Sequence, residues 1–573
     1  MTASDQVGKT AAEEARLAPD EAAAPDFVVA RINLAAAAIA ECDGSAAAGM
    51  LRQALALAPS ADAAWFNLGV AFGQGEEAGV AYGRALVLDP IALDAATNRA
   101  QVLATLAPSR AEPALKRGLA VLPAVAPALN VLARLRHNGA DNAAAFAWFA
   151  RAYAADPNNA ALHSNRLLHL AYDPALSRET IFERHLDWAR RHGNKPPISP
   201  RTTPDPGRRL RIGYVSADLA RHPVGFFLSS VLAGRDPRAI ETICYSDRRG
   251  GDTWTRRLQA VADRWVEAAE LDDHALAARI QADAVDILVD LSGHTAGNRL
   301  TVFAAKPAPL QATWMGYPGT TGLAQVDYLI ADAAQVPPGS ESWYVERVIR
   351  LEKGYVCYAP PEDAPDVGPL PARATGRVTF GSLNNIAKLN PSVFSLWAKV
   401  LDAVPGSRLL LAWQSLGDAK VAENIRTMAE ASGIAPGRLV LNPGGDPAAF
   451  LARYGEIDVA LDPFPYSGGL TTVEALWMGV PVLTWPGQRF AGRHAASHLT
   501  QVGLTDWIVA TPEAYVVRAC AAAADLDRLA TLRIGLRDRL RASSLLDGQQ
   551  FTRRLEAAYR AMWRTWCDAQ GVS

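Results

Sequence analysis

Several residues between Asp462 and Gly487, read as DPFPYSGGLTTVEALWMGVPVLTWPG, are of types that do chemistry together. Gly468 and Gly469 break the chain just before a helix-like run that opens with Leu470, Thr471, Thr472 and Glu474. Glycines at that place let backbone N–H groups converge on one point at a helix N-terminus, where anions bind. Glu474 would suit the two hydroxyls of a ribose, as an acidic residue does in dinucleotide-binding folds. Lys388, at the end of Gly381-Ser-Leu-Asn384-Asn385-Ile-Ala-Lys388, would reach a phosphate at the head of the same helix. Two histidines follow apolar runs: His222 in Ala217-Asp218-Leu-Ala-Arg221-His222 and His294 in Asp290-Leu-Ser-Gly293-His294. Each feature alone has a plain structural reading: a solvated loop histidine, a surface lysine, a Gly-Gly turn. Their convergence on one cleft favours the functional one.

That convergence depends on the elements around them. From residue 210, short apolar runs bounded by Gly, Pro and Asp alternate with helical stretches, the pattern of a parallel α/β sheet. The runs are 210–216, 241–245, 286–290, 310–314 and 327–330. The pattern restarts at 377–380, 407–411, 438–441, 458–461 and 481–484. Two doubly wound halves in series leave a cleft, with the loops after the strands facing it. His222, His294, Lys388 and the Gly468-Gly469 turn all follow strands, so all are expected at that cleft. The last helix, 549–566, is expected to pack back across the halves.

The N-terminal quarter has a different texture. Pro59, Pro90, Pro123 and Pro157 close similar phrases, and this spacing of just over thirty residues signals tetratricopeptide repeats. Such helix pairs must stack to bury their apolar faces, which gives a superhelix. Asparagine recurs in the first helix at Asn33, Asn67, Asn98 and Asn165, with Asn130 one place out of step. Repeated at one structural position, Asn67, Asn98 and Asn165 would form a ladder able to clamp the backbone amides of an extended acceptor peptide. Expected boundaries are a flexible tail at 1–26, repeats at 27–172, a linker helix and Pro-rich boundary at 173–207, two Rossmann-like domains at 208–375 and 376–545, and a C-terminal helix at 546–573.

Composition excludes several classes. A formal net charge of -2 without a basic block speaks against a nucleic-acid partner. No apolar run is long enough to span a bilayer, and the first 26 residues are polar and acidic rather than a signal peptide, so a cytoplasmic protein without a membrane role is expected. Five cysteines, at 42, 244, 357, 520 and 567, lie singly with no CxxC spacing, which points to packing rather than to disulfides or zinc.

The phrases RLRIGYVSADLARHP, QATWMGYPGTTGLAQVDYLIAD, NNIAKLNPSVFSLWAKVL and LTTVEALWMGVPVLTWPG with AGRHAAS resemble the catalytic region of the O-GlcNAc transferases and their bacterial and SPINDLY-like relatives, over roughly 208–568. The repeats in front match that family's arrangement. The resemblance implies an α plus α/β protein, a tetratricopeptide superhelix followed by a two-Rossmann GT-B glycosyltransferase. It implies an inverting transfer of N-acetylglucosamine from UDP-GlcNAc, a substrate rather than a cofactor, to Ser or Thr hydroxyls of protein acceptors, with no metal. It places Lys388 and Asn385 beside the diphosphate, Gly468 to Thr472 on the donor loop, Glu474 at the ribose, and His222 as general base or sugar-positioning group. Phe450 stands where the animal enzyme has a histidine, and would pack on the nucleobase. Alternatives are fucosyl transfer from GDP-fucose, which some relatives perform, and a repeat scaffold whose catalytic half has decayed.

Overall fold

The computed structural model describes residues 25–41, 43–73, 75–104, 107–198 and 202–572. The expected tail, apart from its last two residues, lies outside them, as does Cys42. The chain forms two compact units, residues 1–139 with 143–155 and residues 140–142 with 156–573.

The first unit is helical, running from Pro25–Ala40 to Asn142–Ala155. Its pairs pack through alanine: Ala35, Ala47, Ala54, Ala64 and Ala78 are fully buried. Small side chains let helix axes approach closely, and Gly69 shows the limit, since a Cβ there would lie 2.6 Å from the Tyr82 ring. Asp43 caps Gly44–Leu57 by accepting from the Ala46 N–H. Asn67 and Asn98 sit half-buried on first helices of their pairs, and Asn98 hydrogen-bonds Tyr82. The helix Ala160–Leu170, which carries Asn165, belongs to the second unit. There Trp188 Nε1 donates to the Ala160 carbonyl at 3.1 Å. The last expected repeat helix is therefore packed as part of the α/β body.

Two parallel sheets build the rest. The first contains β1 (Leu210–Ser216), β2 (Ile240–Ser246), β3 (Arg264–Glu267), β4 (Ile287–Asp290), β5 (Leu310–Trp314), β6 (Tyr328–Ala331) and β7 (Arg347–Arg350), in the order β3-β2-β1-β4-β5-β6-β7. The second contains β8 (Thr379–Ser382), β9 (Arg408–Ala412), β10 (Leu439–Asn442), β11 (Val459–Leu461) and β12 (Val482–Leu483), in the order β10-β9-β8-β11-β12. Ten strands stand within a residue or two of their expected places. The two unexpected ones, β3 and β7, are the edges of the first sheet. They read RWVE and RVIR, and edge position allows charged residues where central strands must be apolar on both faces.

The C-terminal helix Gly548–Ala569 packs on the first sheet. Phe551, Leu555, Tyr559, Met562, Trp563 and Cys567 are buried along one face. Phe551 stacks on Trp314, the Tyr559 hydroxyl lies 3.3 Å from that of Tyr214, and Trp563 Nε1 donates to the Asp205 carbonyl at 2.8 Å. No described helix is long and apolar enough to cross a membrane.

Candidate active site

The loop after β8 and the loop after β11 meet at Lys388. Residues Ile386–Lys388 form one 3-10 turn, which Asn385 caps by accepting from the Ala387 N–H at 3.0 Å. The turn points the Lys388 ammonium at the second loop, where it donates to the Ser467 carbonyl at 2.9 Å and to Asn384 Oδ1 at 3.2 Å. It also lies 4.6 Å above the centre of the Tyr466 ring. Asn385 uses its Oδ1 on the turn, and Asn384 reaches the donor loop, accepting from Thr471 Oγ1 at 2.9 Å as well. Asn384, the neighbour of the expected Asn385, is the residue that joins Lys388 to Thr471.

Asp462 shapes the second loop from beneath. Its carboxylate accepts from the Gly468 N–H at 2.6 Å and from Thr484 Oγ1 at 2.7 Å. Burial raises the pKa of this carboxyl and lowers that of Lys388, while the two charges stabilise each other. Thr472 Oγ1 donates to the Gly468 carbonyl at 2.8 Å, so the turn is closed from both sides. Gly468 is glycine for lack of space: a Cβ would lie 2.7 Å from Thr472 Oγ1 and 2.8 Å from Thr471 Oγ1. The helix Leu470–Trp477 begins here with Gly469 as its cap residue and no capping side chain; the Thr472 N–H bonds the Gly469 carbonyl at 3.1 Å, and the Leu470 and Thr471 N–H groups have no described protein partner.

Glu474 lies one turn further on. No described protein group hydrogen-bonds its carboxyl, and burial pushes its pKa up to about 8 against the opposing pull of Arg221. Arg221 belongs to the loop after β1, so the two sheets' loops face each other across this point. His222 is the next residue. Its side chain is 45% exposed, with Nδ1 3.7 Å from an Asp218 carboxylate oxygen and accepting from the Val224 N–H at 3.4 Å. Desolvation lowers its pKa, the Asp218 carboxylate partly offsets this, and the ring is neutral near pH 7.

His294 is not where it was expected. It is fully buried; Nε2 donates to the Thr321 carbonyl at 2.9 Å, and Nδ1 accepts from Ser164 Oγ at 3.0 Å. With Trp188, His185 and Tyr317 packed around the ring, no nitrogen is left for a substrate. Its place after a strand is real, but the chain turns inward: Asp290 accepts from the N–H groups of Ser292 and Gly293. At the head of the glycine-spaced loop after β5, Gly316 is glycine for lack of space, since a Cβ there would overlap the Leu291 carbonyl oxygen.

Phe450, on the helix Pro447–Ala452, packs edge-to-face with Trp413 at 6.1 Å, and both rings are partly exposed after β9 and β10. From the turn after that helix, Tyr454 donates to the Thr471 carbonyl at 2.9 Å and ties this aromatic corner to the donor loop. Trp413, Tyr466 and Asp462 are further residues here, signalled in the sequence only by a loop position after a strand, and His494, in the AGRHAAS phrase, opens the helix His494–Gln501.

Comparison with known proteins shows the family and the fold. The model of Glycosyl transferase family 41 matches residues 178–358 and 369–555. A probable UDP-N-acetylglucosamine–peptide N-acetylglucosaminyltransferase SPINDLY of Solanum lycopersicum is 38% identical over 423 residues, which is 72% of this chain and 45% of the relative. The corresponding SEC protein of Arabidopsis thaliana is 31% identical over 63% of this chain and 38% of its own length. The chain thus spans less than half the length of these plant relatives. A solved structure of a mutant Thermobaculum terrenum O-GlcNAc transferase superposes with a TM-score of 0.80 at 36% identity, covering 97% of this chain and all of that one.

Proposed function

The chain belongs to glycosyl transferase family 41, and from that premise we propose that it transfers N-acetylglucosamine from UDP-GlcNAc to Ser or Thr hydroxyls of protein acceptors. The observation that carries the reading is Lys388, held between the Ser467 carbonyl and Asn384 at the head of the Leu470–Trp477 helix. An ammonium and a helix N-terminus aimed at one point suit a diphosphate, and both stabilise the charge that grows on UDP as the glycosidic bond breaks. That charge compensation needs no metal. Glu474 takes the ribose hydroxyls, and Phe450 with Trp413 offers an aromatic wall for the base.

In this reading the acceptor hydroxyl oxygen attacks the anomeric carbon from the face opposite the diphosphate, with inversion. The C–O bond to the β-phosphate breaks, UDP leaves with the electron pair, and the hydroxyl proton passes to His222. A neutral imidazole near pH 7 is suited to that step. Asn67 and Asn98, on the first helices of neighbouring pairs in one unit, are proposed to hold an extended acceptor chain. Incubation with UDP-GlcNAc and with GDP-fucose, followed by mass spectrometry of acceptor peptides, tests the assignment. Addition of one N-acetylhexosamine supports it, and addition of deoxyhexose from GDP-fucose replaces the sugar. No addition from either leaves a repeat scaffold.

A further inference from the structure

His494 is the first residue of the helix His494–Gln501 and is buried, at 8% exposure. Its Nδ1 lies 2.8 Å from the Tyr355 hydroxyl and 2.8 Å from Gln335 Nε2. The Gln335 Nε2 amide is a donor, so the one lone pair of Nδ1 accepts and the ring proton resides on Nε2. Its backbone N–H donates to Ser467 Oγ at 2.9 Å, and Ser467 is the residue whose carbonyl holds Lys388. The imidazole stacks on Tyr466, with centroids 5.9 Å apart and planes at 29°; the same ring lies beneath the Lys388 ammonium.

Nε2 is bonded by no described protein group. It is also not one of the sealed, unpartnered atoms, which include both ring nitrogens of His498 one turn along the helix. The Nε2–H is therefore not sealed, and its ring and the Lys388 ammonium both lie against the Tyr466 ring. Desolvation and then the Lys388 charge hold its pKa well below the ordinary value for histidine, and the ring stays neutral.

We propose that the His494 Nε2–H is a second donor to the diphosphate of the bound sugar nucleotide, acting with Lys388 on the leaving group. The proposal rests on the sugar-nucleotide reading above. A neutral donor fits this place: it adds a hydrogen bond to the departing oxygen without setting a second cation against Lys388. Tyr355 and Gln335 are then positioning residues, because they fix the tautomer that presents the proton.

The test uses the full chain with UDP-GlcNAc turnover and UDP titration, comparing wild type, His494→Ala, His494→Gln, Tyr355→Phe and Lys388→Ala. Expected for His494→Ala is a loss of about 10- to 100-fold in kcat, larger than the loss of UDP affinity, because the bond strengthens as charge develops. His494→Gln, which retains an N–H, recovers part of kcat, and Tyr355→Phe falls between. In wild type carrying 15N-labelled histidine, the His494 Nε2 resonance is protonated at pH 7 and shifts when UDP is added. Unchanged kcat and UDP affinity in His494→Ala, with both lost in Lys388→Ala, would overturn this proposal alone. So would an Nε2 resonance that does not move with UDP, a readout independent of whether the variants fold. Wild type that binds neither UDP nor GDP would overturn the sugar-nucleotide reading and this proposal with it.

Discussion

The Lys388 ammonium donates to the Ser467 carbonyl over 2.9 Å, and this bond joins the loop after β8 to the loop after β11. A diphosphate arriving at the helix head therefore meets a cation already aimed by the backbone of the loop that receives it. Asp462 and Asn384 complete the arrangement by fixing the turn and the lysine from either side.

Gly468→Ala tests the turn. The added methyl would meet Thr472 Oγ1, Thr471 Oγ1 and Asn384 Oδ1 within 3.2 Å, so the loop must shift. UDP affinity is expected to fall at least tenfold, roughly 1.4 kcal/mol, by titration calorimetry. Affinity equal to wild type would mean that the loop does not bind the donor in this conformation.

Glu474 makes stability depend on pH. Its carboxyl is raised to about 8 in the folded protein, so between the unfolded value near 4.5 and pH 8 the folded state holds the extra proton. Stability from this group is present at low pH and is lost as pH rises through that window. Glu474→Gln is expected to raise the melting temperature more at pH 8 than at pH 5, by about 1–3 kcal/mol of stability, while weakening UDP binding. A gain that is equal at both pH values would contradict the desolvated, protonated carboxyl.

The two histidines should separate cleanly. His222→Ala removes a half-exposed side chain with one long cap contact, and is expected to cost under about 1 kcal/mol of stability but about 10²- to 10⁴-fold in kcat. His294→Ala empties a sealed site and leaves the Thr321 carbonyl and Ser164 without partners, an expected cost of about 2–4 kcal/mol. Denaturant melts and steady-state kinetics on both variants check the pair; the reverse pattern would make His294 the reactive group.

Trp563→Ala probes the return of the C-terminal helix to the first sheet. The side chain is fully buried and its indole donates to the Asp205 carbonyl. Truncation is expected to cost about 3–5 kcal/mol by chemical denaturation, and a loss under 1 kcal/mol would contradict the docking of this helix.

Which features the sequence revealed follows from local physics. Central strands such as β1 and β4 are apolar on both faces and bounded by Gly, Pro or Asp, so they could be read directly. The edge strands β3 and β7 carry arginine and glutamate and could not, because what makes them strands is a neighbour far along the chain. Lys388 and Glu474 could be named from the sequence because each follows a strand-like run and stands in a phrase that carries the family resemblance, although each alone also has a plain structural reading. His294 misled because a strand end does not say whether the next turn faces solvent or core; Ser164, 130 residues away in sequence, decides it. Asn384 and His494 were hidden for the same reason, since each takes its meaning from partners on other loops.

Calorimetric titration of wild type and Lys388→Ala with UDP and GDP, without added metal, tests the central claim most directly. The account predicts UDP binding by wild type that weakens by at least tenfold in the variant, about 1.4 kcal/mol or more, and a UDP affinity that falls as rising pH deprotonates Lys388, whose pKa burial lowers. Equal binding by wild type and variant, or no binding of either nucleotide, would contradict it.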